Sequence, residues 1–332
     1  MSHRSRRSFL TALAASLGGA AGAALALPNG GQTAWADGPV PIGVLIPGSK
    51  TDKGWMESAY DGMLESEAKY GNRIKVTYIE NVAMGDMEQA LTTLAAKNPL
   101  VIAAAGQAEA ATLKVAKRFG HVKFAVVGGA RADANNVSIY DVRQAEIAYV
   151  AGAAAAMLSK HGAVSYVGGM QIPAIVNAGK EFGLGARSVN PDIKYFESYT
   201  GNFDDVAKAK EATLAAIAQG ADIHYNILNL GVRGMEQAAR EKGTHMIGSY
   251  SNRCGTDPLY IAYSITGTGY ILSYAIDQFV AGTWEAGFKP FGLMAGPKAS
   301  NMVVCQPTPS ITAKIDEIKK DLIAGKIQTL GS

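Results

Sequence analysis

A rhythm of short β-branched runs separated by longer alanine-rich stretches repeats twice along this chain, and it restricts the fold more than any other feature. Residues 41–46 (PIGVLI), 75–79 (KVTYI), 100–104 (LVIAA) and 123–127 (KFAVV) are nearly continuous apolar segments. Strands that read this way are buried on both faces, as in a parallel sheet. Helical stretches fall between them near 57–70, 86–96 and 109–119, so the pattern predicts βαβαβαβ and a doubly wound α/β sheet. After an alanine-rich segment at 145–158 a second round begins, with strands at 163–167, 194–198, 223–228 and 246–249 and helices near 175–188, 204–218 and 233–241. The tail holds a strand-like 261–265, a helix at 269–280, a strand-like 302–304 and a last amphipathic helix at 310–324. It is too short for a third lobe and is expected to thread back between the first two, making a multi-segment hinge. The expected division is 39–142 plus about 265–290 for an N-terminal lobe, and 143–264 plus about 291–332 for a C-terminal lobe.

The first 36 residues stand apart. Ser5-Arg6-Arg7-Ser8-Phe9-Leu10 is a twin-arginine pattern, an apolar stretch runs from Thr11 to Leu27, and Ala34-Trp35-Ala36 offers a small-x-small cleavage site. Glycines at 18, 19 and 22 suit a removed signal better than an anchor, and no cysteine lies nearby to carry a lipid. The expectation is a soluble periplasmic protein exported by the twin-arginine route. Removing Arg4, Arg6 and Arg7 from 31 basic residues leaves 28, equal to the 28 acidic ones. The net charge of +3 therefore belongs to the leader, and nothing argues for a nucleic-acid partner. Cys254 and Cys305 would meet an oxidising compartment, where they could bridge or remain two buried thiols.

Two hinged parallel sheets place the carboxyl ends of their strands face to face, where ligands of such sheets bind. The cleft loops are then 47–55, 80–83, 105–109 and 128–133 from the first lobe, and 168–173, 199–204, 229–233 and 250–255 from the second. Enzyme chemistry finds no support in the spacing. Pro47-Gly48-Ser49-Lys50-Thr51-Asp52 stands where a dinucleotide fingerprint would open the first βα turn, no phosphate loop appears, and no histidine or cysteine pattern has metal-ligand spacing. No cofactor, metal or catalytic residue is expected. His121, His161, His224 and His245 read as structural or solvated, and Met56, Met63, Met84 and Met87 as packing. Trp55 is the anomaly, an indole on a loop of Gly, Ser, Thr, Lys and Asp. It is either the first buried residue of the next helix or a flat surface for a flat ligand.

Several loop phrases keep a recognisable order: IGVLIP (42–47), DKGW (52–55), SAYDG (58–62), VAKRFGHVKFAVVGG (115–129), NNVSIYDVRQAEIAYVAGAAAAMLSKHGAVSYVGGM (135–170), GARSVNPDIKY (185–195), NFDD (202–205) and AIAQGADI (216–223). From about Pro41 to the C-terminus the chain resembles the basic membrane protein family of ABC-transporter substrate-binding proteins, which includes purine nucleoside receptors. The resemblance implies a type I periplasmic binding fold, no catalysis, and delivery of a small ligand to an inner-membrane permease; a monomer is expected. The family's first loop carries Asp, then a stacking aromatic, then Asn; here Asp52 and Trp55 match and Met56 takes the Asn place. The family's Asp after the fourth strand is Gly128 or Gly129 here. Its Asp pair for ribose hydroxyls falls within Gly248-Ser249-Tyr250-Ser251-Asn252, and its lysine near Thr266 or Gly267.

These departures replace charged groups with neutral or aromatic ones. A carboxylate accepts two hydroxyl hydrogen bonds, each worth about 1.5–3 kcal/mol, and a bare nucleobase would not miss them. Amides offer the mixed donors and acceptors that a purine edge needs. The expected ligand-binding residues are Asp52, Trp55, Asn81, Gln107, Gln171, Asn202, Asn229, Tyr250 and Asn252, and the expected ligand is a purine base or nucleoside. Another small ligand, or a sensory role for the same fold, is the alternative.

Overall fold

A computed structural model of the chain describes residues 38–131 and 134–330. The leader expected over 1–36 lies outside the described residues. Strands β1 (Val40–Ile46), β2 (Ile74–Glu80), β3 (Leu100–Ala103), β4 (Lys123–Val127), β5 (Val137–Asp141) and, from the tail, β11 (Gly287–Pro290) build the first sheet. Their order is β11-β5-β4-β3-β1-β2, and every pair is parallel. The second sheet has β6 (Ala163–Gly168), β7 (Lys194–Tyr199), β8 (Ile223–Ile227), β9 (His245–Ser249), β10 (Tyr260–Thr266) and β12 (Ser300–Val304) in the order β12-β10-β9-β8-β6-β7. Only its pairing of β12 with β10 is antiparallel.

Alternation along the strands explains why both faces are covered. In β1, Ile42, Val44 and Ile46 face helices α1 (Trp55–Tyr70) and α8 (Thr268–Val280), while Leu45 faces α2 (Met87–Ala95) and α3 (Glu109–Ala116). In the second lobe Val164, Tyr166 and Tyr225 pack against α4 (Gln144–Leu158), α5 (Pro173–Val189) and α9 (Pro309–Ile323). Val167 and Met246 point instead to α6 (Val206–Ala218) and α7 (Val232–Lys242).

Three segments cross between the lobes, one from β5 to α4, one from β10 to α8 and one from β11 to β12. They touch one another, since Gly267 N donates to Ala299 O (2.9 Å) and Leu293 N donates to a Glu146 carboxylate oxygen (2.6 Å). A Cβ at Gly62 would fall 2.1 Å from Gly269 O, so only glycine lets α8 lie this close to α1. The helix that leaves the hinge thereby supports the helix that carries Trp55.

β5 and β11 were absent from the sequence expectation. VSIYD breaks its apolar run with Ser138 and Asp141, and GFKP opens on glycine and ends on proline, which a sheet tolerates at its edge, where β11 lies. Met56, Met63 and Met87 are buried, but Met84 is 67% exposed, so the packing role expected for it is corrected. It lies on a three-residue turn, Met84–Asp86, that buries none of its side chains. Cys254 and Cys305 form a disulfide that joins the loop after β9 to the end of β12. Among the described residues no helix is long and apolar enough to cross a membrane.

Candidate functional site

The order β2-β1-β3 in the first sheet makes the gap between the carboxyl ends of β1 and β3 a switch point, where chain connections diverge and leave a crevice. Trp55 lies there. It is the first residue of α1, half-buried, and its indole N–H donates to Ala104 O just beyond β3 (2.6 Å). The benzo edge of the ring lies over Gly128 after β4. Gly128 has φ +81°, and a Cβ there would meet Trp55 Cζ2 and Cη2 at 2.8 Å. The indole is thus anchored in the first lobe through its N–H and its benzo edge, while the ring is only half-buried.

The loop before it is fixed from several sides. Asp52 is 1% exposed, and its carboxylate accepts the backbone N–H groups of Gly54 (2.7 Å), Glu57 (3.0 Å) and Met56 (3.2 Å). It thus caps the orphan donors at the start of α1. Burial raises its carboxyl above the ordinary value despite the opposing effect of those three N–H groups. Lys50 ties the start of the loop to edge strand β2, with Nζ 2.7 Å from Tyr78 Oη and 3.1 Å from Glu80 Oε1 and lying over the rings of Tyr60 and Tyr78. Asn81, at φ +57°, donates its backbone N–H to Ile46 O and Gly48 O.

From the second lobe two predicted residues reach this point. Asn229 follows β8 and approaches so closely that a Cβ on Gly54 would lie 3.3 Å from both its Cα and Oδ1. Tyr250 follows β9 in a left-handed conformation (φ +72°), and its ring meets Trp55 edge to face, centroids 6.5 Å apart at 82°. Burial, and next the negative charge of Asp52, pushes the Tyr250 hydroxyl well above its ordinary value. Asp52, Trp55, Asn229 and Tyr250 are thus brought together where the lobes meet.

The other five predicted residues lie on exposed loops around them. Asn81, Gln107 and Gln171 have no side-chain hydrogen bond among the described residues. Asn202 and Asn252 use their Oδ1 atoms to accept from Asp204 N (2.8 Å) and Cys254 N (3.0 Å), leaving the Nδ2 donors.

Sequence reasoning did not find the charged pair Glu57 and Arg253, which crosses between the lobes at 3.6 Å. It also missed a cavity of about 150 Å³ on the second-lobe side of Tyr250, lined in part by Lys53, Asn226, Ser249, Tyr260 and Tyr263. Ser249 Oγ is buried without a hydrogen-bond partner. The only sequence signal for either was the presence of Lys53 and Arg253 in the cleft loops.

The profile of the Bmp family, described as ABC transporter substrate-binding protein PnrA-like, matches residues 40–321. A purine-binding protein of Brucella abortus (strain 2308) is 35% identical over 195 residues, 58% of this chain and 55% of that protein, so the match spans little more than half of that relative. The ABC transporter nucleoside-binding protein BmpA of Lactococcus lactis is 26% identical over 299 residues, 83% of this chain and 84% of its own. Among solved structures, an ABC transporter solute-binding protein from Aeropyrum pernix K1 superposes with a TM-score of 0.79 at 21% identity, covering 89% of this chain and 94% of that one. Fold and sequence agree, and the chain belongs to the Bmp family of PnrA-like ABC transporter substrate-binding proteins.

Proposed function

We propose that this protein captures a purine in the cleft between its lobes, prefers the free base to the nucleoside, and as a monomer presents the closed form to an ABC permease. The observation that carries this reading is the state of the groups around Trp55. The indole is held at the switch point by its own N–H, and its nearest counterpart across the cleft is another aromatic ring. Base–aromatic stacking contributes about 1–3 kcal/mol per base. Asp52, the carboxylate at this point, is occupied by three backbone N–H groups, so ribose hydroxyls would compete with the α1 cap for it. Asn229 and the Tyr250 hydroxyl, which has no protein partner among the described residues, are neutral groups suited to a heterocycle's rim. A ring entering here takes the place of the Tyr250 edge against the indole. The names of the Brucella and Lactococcus relatives, purine-binding and nucleoside-binding, support the ligand class. The twin-arginine leader supports export to the periplasm, where such a receptor works.

A thermal-shift screen of the purified protein against purine bases, purine nucleosides, pyrimidines and sugars tests this. A ligand at 100 times its Kd adds about 2.7 kcal/mol to stability, a shift of a few degrees for a chain of this size. Adenine, hypoxanthine or guanine should give the largest rise. A nucleoside that exceeds every free base by a wide margin overturns the base preference, and a response to sugars alone overturns the purine reading.

A further inference from the structure

The loop that carries Tyr250 is built as a stiff unit. Arg253 Nε donates to Ser251 Oγ (3.1 Å), Cys254 N to Asn252 Oδ1 (3.0 Å), and Thr256 Oγ1 to Arg253 O (2.7 Å). Cys254 is bonded to Cys305, whose own N–H donates to Ile261 O (2.9 Å), so the loop is fastened to the second sheet beside Arg253. From this base the Arg253 guanidinium extends to the other lobe and stands 3.6 Å from Glu57 Oε1. Glu57 is itself oriented, because its other oxygen accepts Lys53 N (3.0 Å).

One turn further along α1 lies Asp61. Its carboxyl is raised by burial and then by the Glu57 charge, and the Arg253 charge acts against both. Two carboxylates four residues apart on one helix repel. In a first lobe standing open that repulsion has no counter-charge from the second, and closing the lobes supplies one.

We infer that Arg253 is a closing latch: the Tyr250–Asp257 loop, braced by the Cys254–Cys305 disulfide, carries its charge onto Glu57 and Asp61 of α1 and holds the lobes shut. The latch acts on how long the cleft stays closed and leaves the choice of ligand to the Trp55 cluster. The pair is partly exposed, with side chains 51% and 26% accessible, and partly exposed pairs shift an equilibrium about two- to fivefold.

The test begins without ligand. Double electron–electron resonance between one label on each lobe measures the closed fraction in wild type, Arg253→Gln, Glu57→Gln and the double variant. Each single variant should lower the closed-to-open ratio two- to fivefold, the double variant no further than Arg253→Gln, and 0.5 M salt should act on wild type but not on Arg253→Gln. The second arm rests on the purine reading. Adenine dissociation, followed by stopped flow, should accelerate in the same proportion in Arg253→Gln, with association unchanged. An empty protein without a closed population, a ratio that the variants leave unchanged, or fully additive single effects overturns the latch. Failure of wild type to bind adenine counts against the purine reading, and the ligand-free arm still decides the latch.

Discussion

The two walls of the cleft are held in place by different means. On the first lobe, Trp55 sits on strand ends that pack backbone to backbone, so closely that a Cβ at Gly106 would lie 2.2 Å from Gly128 O, and the preceding loop folds around the buried Asp52. On the second lobe, Tyr250 begins a ten-residue connection that runs from β9 to β10 without a helix and is fastened by a disulfide. One wall derives its shape from close packing, the other from a covalent staple and a few side-chain bonds. Trp55 is placed by close backbone packing of neighbouring strand ends, whereas the long connection that carries Tyr250 is held by a cross-link.

Removing the staple should have the largest effect on the second wall. The disulfide closes a separation of 51 residues, for which chain-entropy reasoning gives about 4 kcal/mol. Cys254→Ser with Cys305→Ser should lower urea stability by up to that amount and weaken purine binding. Chemical-shift changes should centre on 250–259 and reach the first lobe only where Tyr250 and Arg253 touch Trp55 and Glu57. Changes spread evenly over both lobes would contradict the division of labour.

A second contrast is titratable. His224 is fully buried in the second sheet, 2.7 Å from Ser165 Oγ and 2.9 Å from Thr244 Oγ1, and burial pushes its imidazole down to about 4. The unfolded chain takes up the proton near pH 6.5, the folded one only near pH 4, so stability falls as pH drops between those values. The loss approaches about 3 kcal/mol at the lower end. The first lobe has no buried histidine among its described residues. His224→Gln should flatten the pH dependence of urea unfolding between pH 6.5 and 4 relative to wild type. An unchanged slope would show that His224 is not its source.

Gly128→Ala gives the smallest effect and sharpens the view of the first wall. The left-handed backbone disfavours alanine by about 1–2 kcal/mol, and the added methyl would press on the Trp55 ring. Purine affinity should fall about tenfold with a Tm loss of a few degrees. Unimpaired affinity would mean that the indole's placement does not govern binding.

Much of the architecture was legible because buried parallel strands spell themselves as apolar runs, and the Bmp phrases span strands, loops and helices. β5 and β11 escaped because Ser138 and Asp141 interrupt the apolar run of the one, and glycine and proline bound the other. Trp55 could be singled out because an indole on a polar loop is conspicuous. Its bond to Ala104 could not, since it depends on the β1–β3 switch point. The Cys254–Cys305 pairing and the Glu57–Arg253 contact were hidden for a related reason: sequence separation does not say which loops a sheet order and a hinge bring together.

The most direct test of the central claim is a crystal structure of the protein with adenine. The purine ring should stack on the Trp55 indole, with Tyr250 moved off its edge-on contact and Asn229 at the ring's rim. Adenine seated in the cavity beyond Tyr250 with Trp55 untouched, or held mainly by ionised side chains, would contradict it.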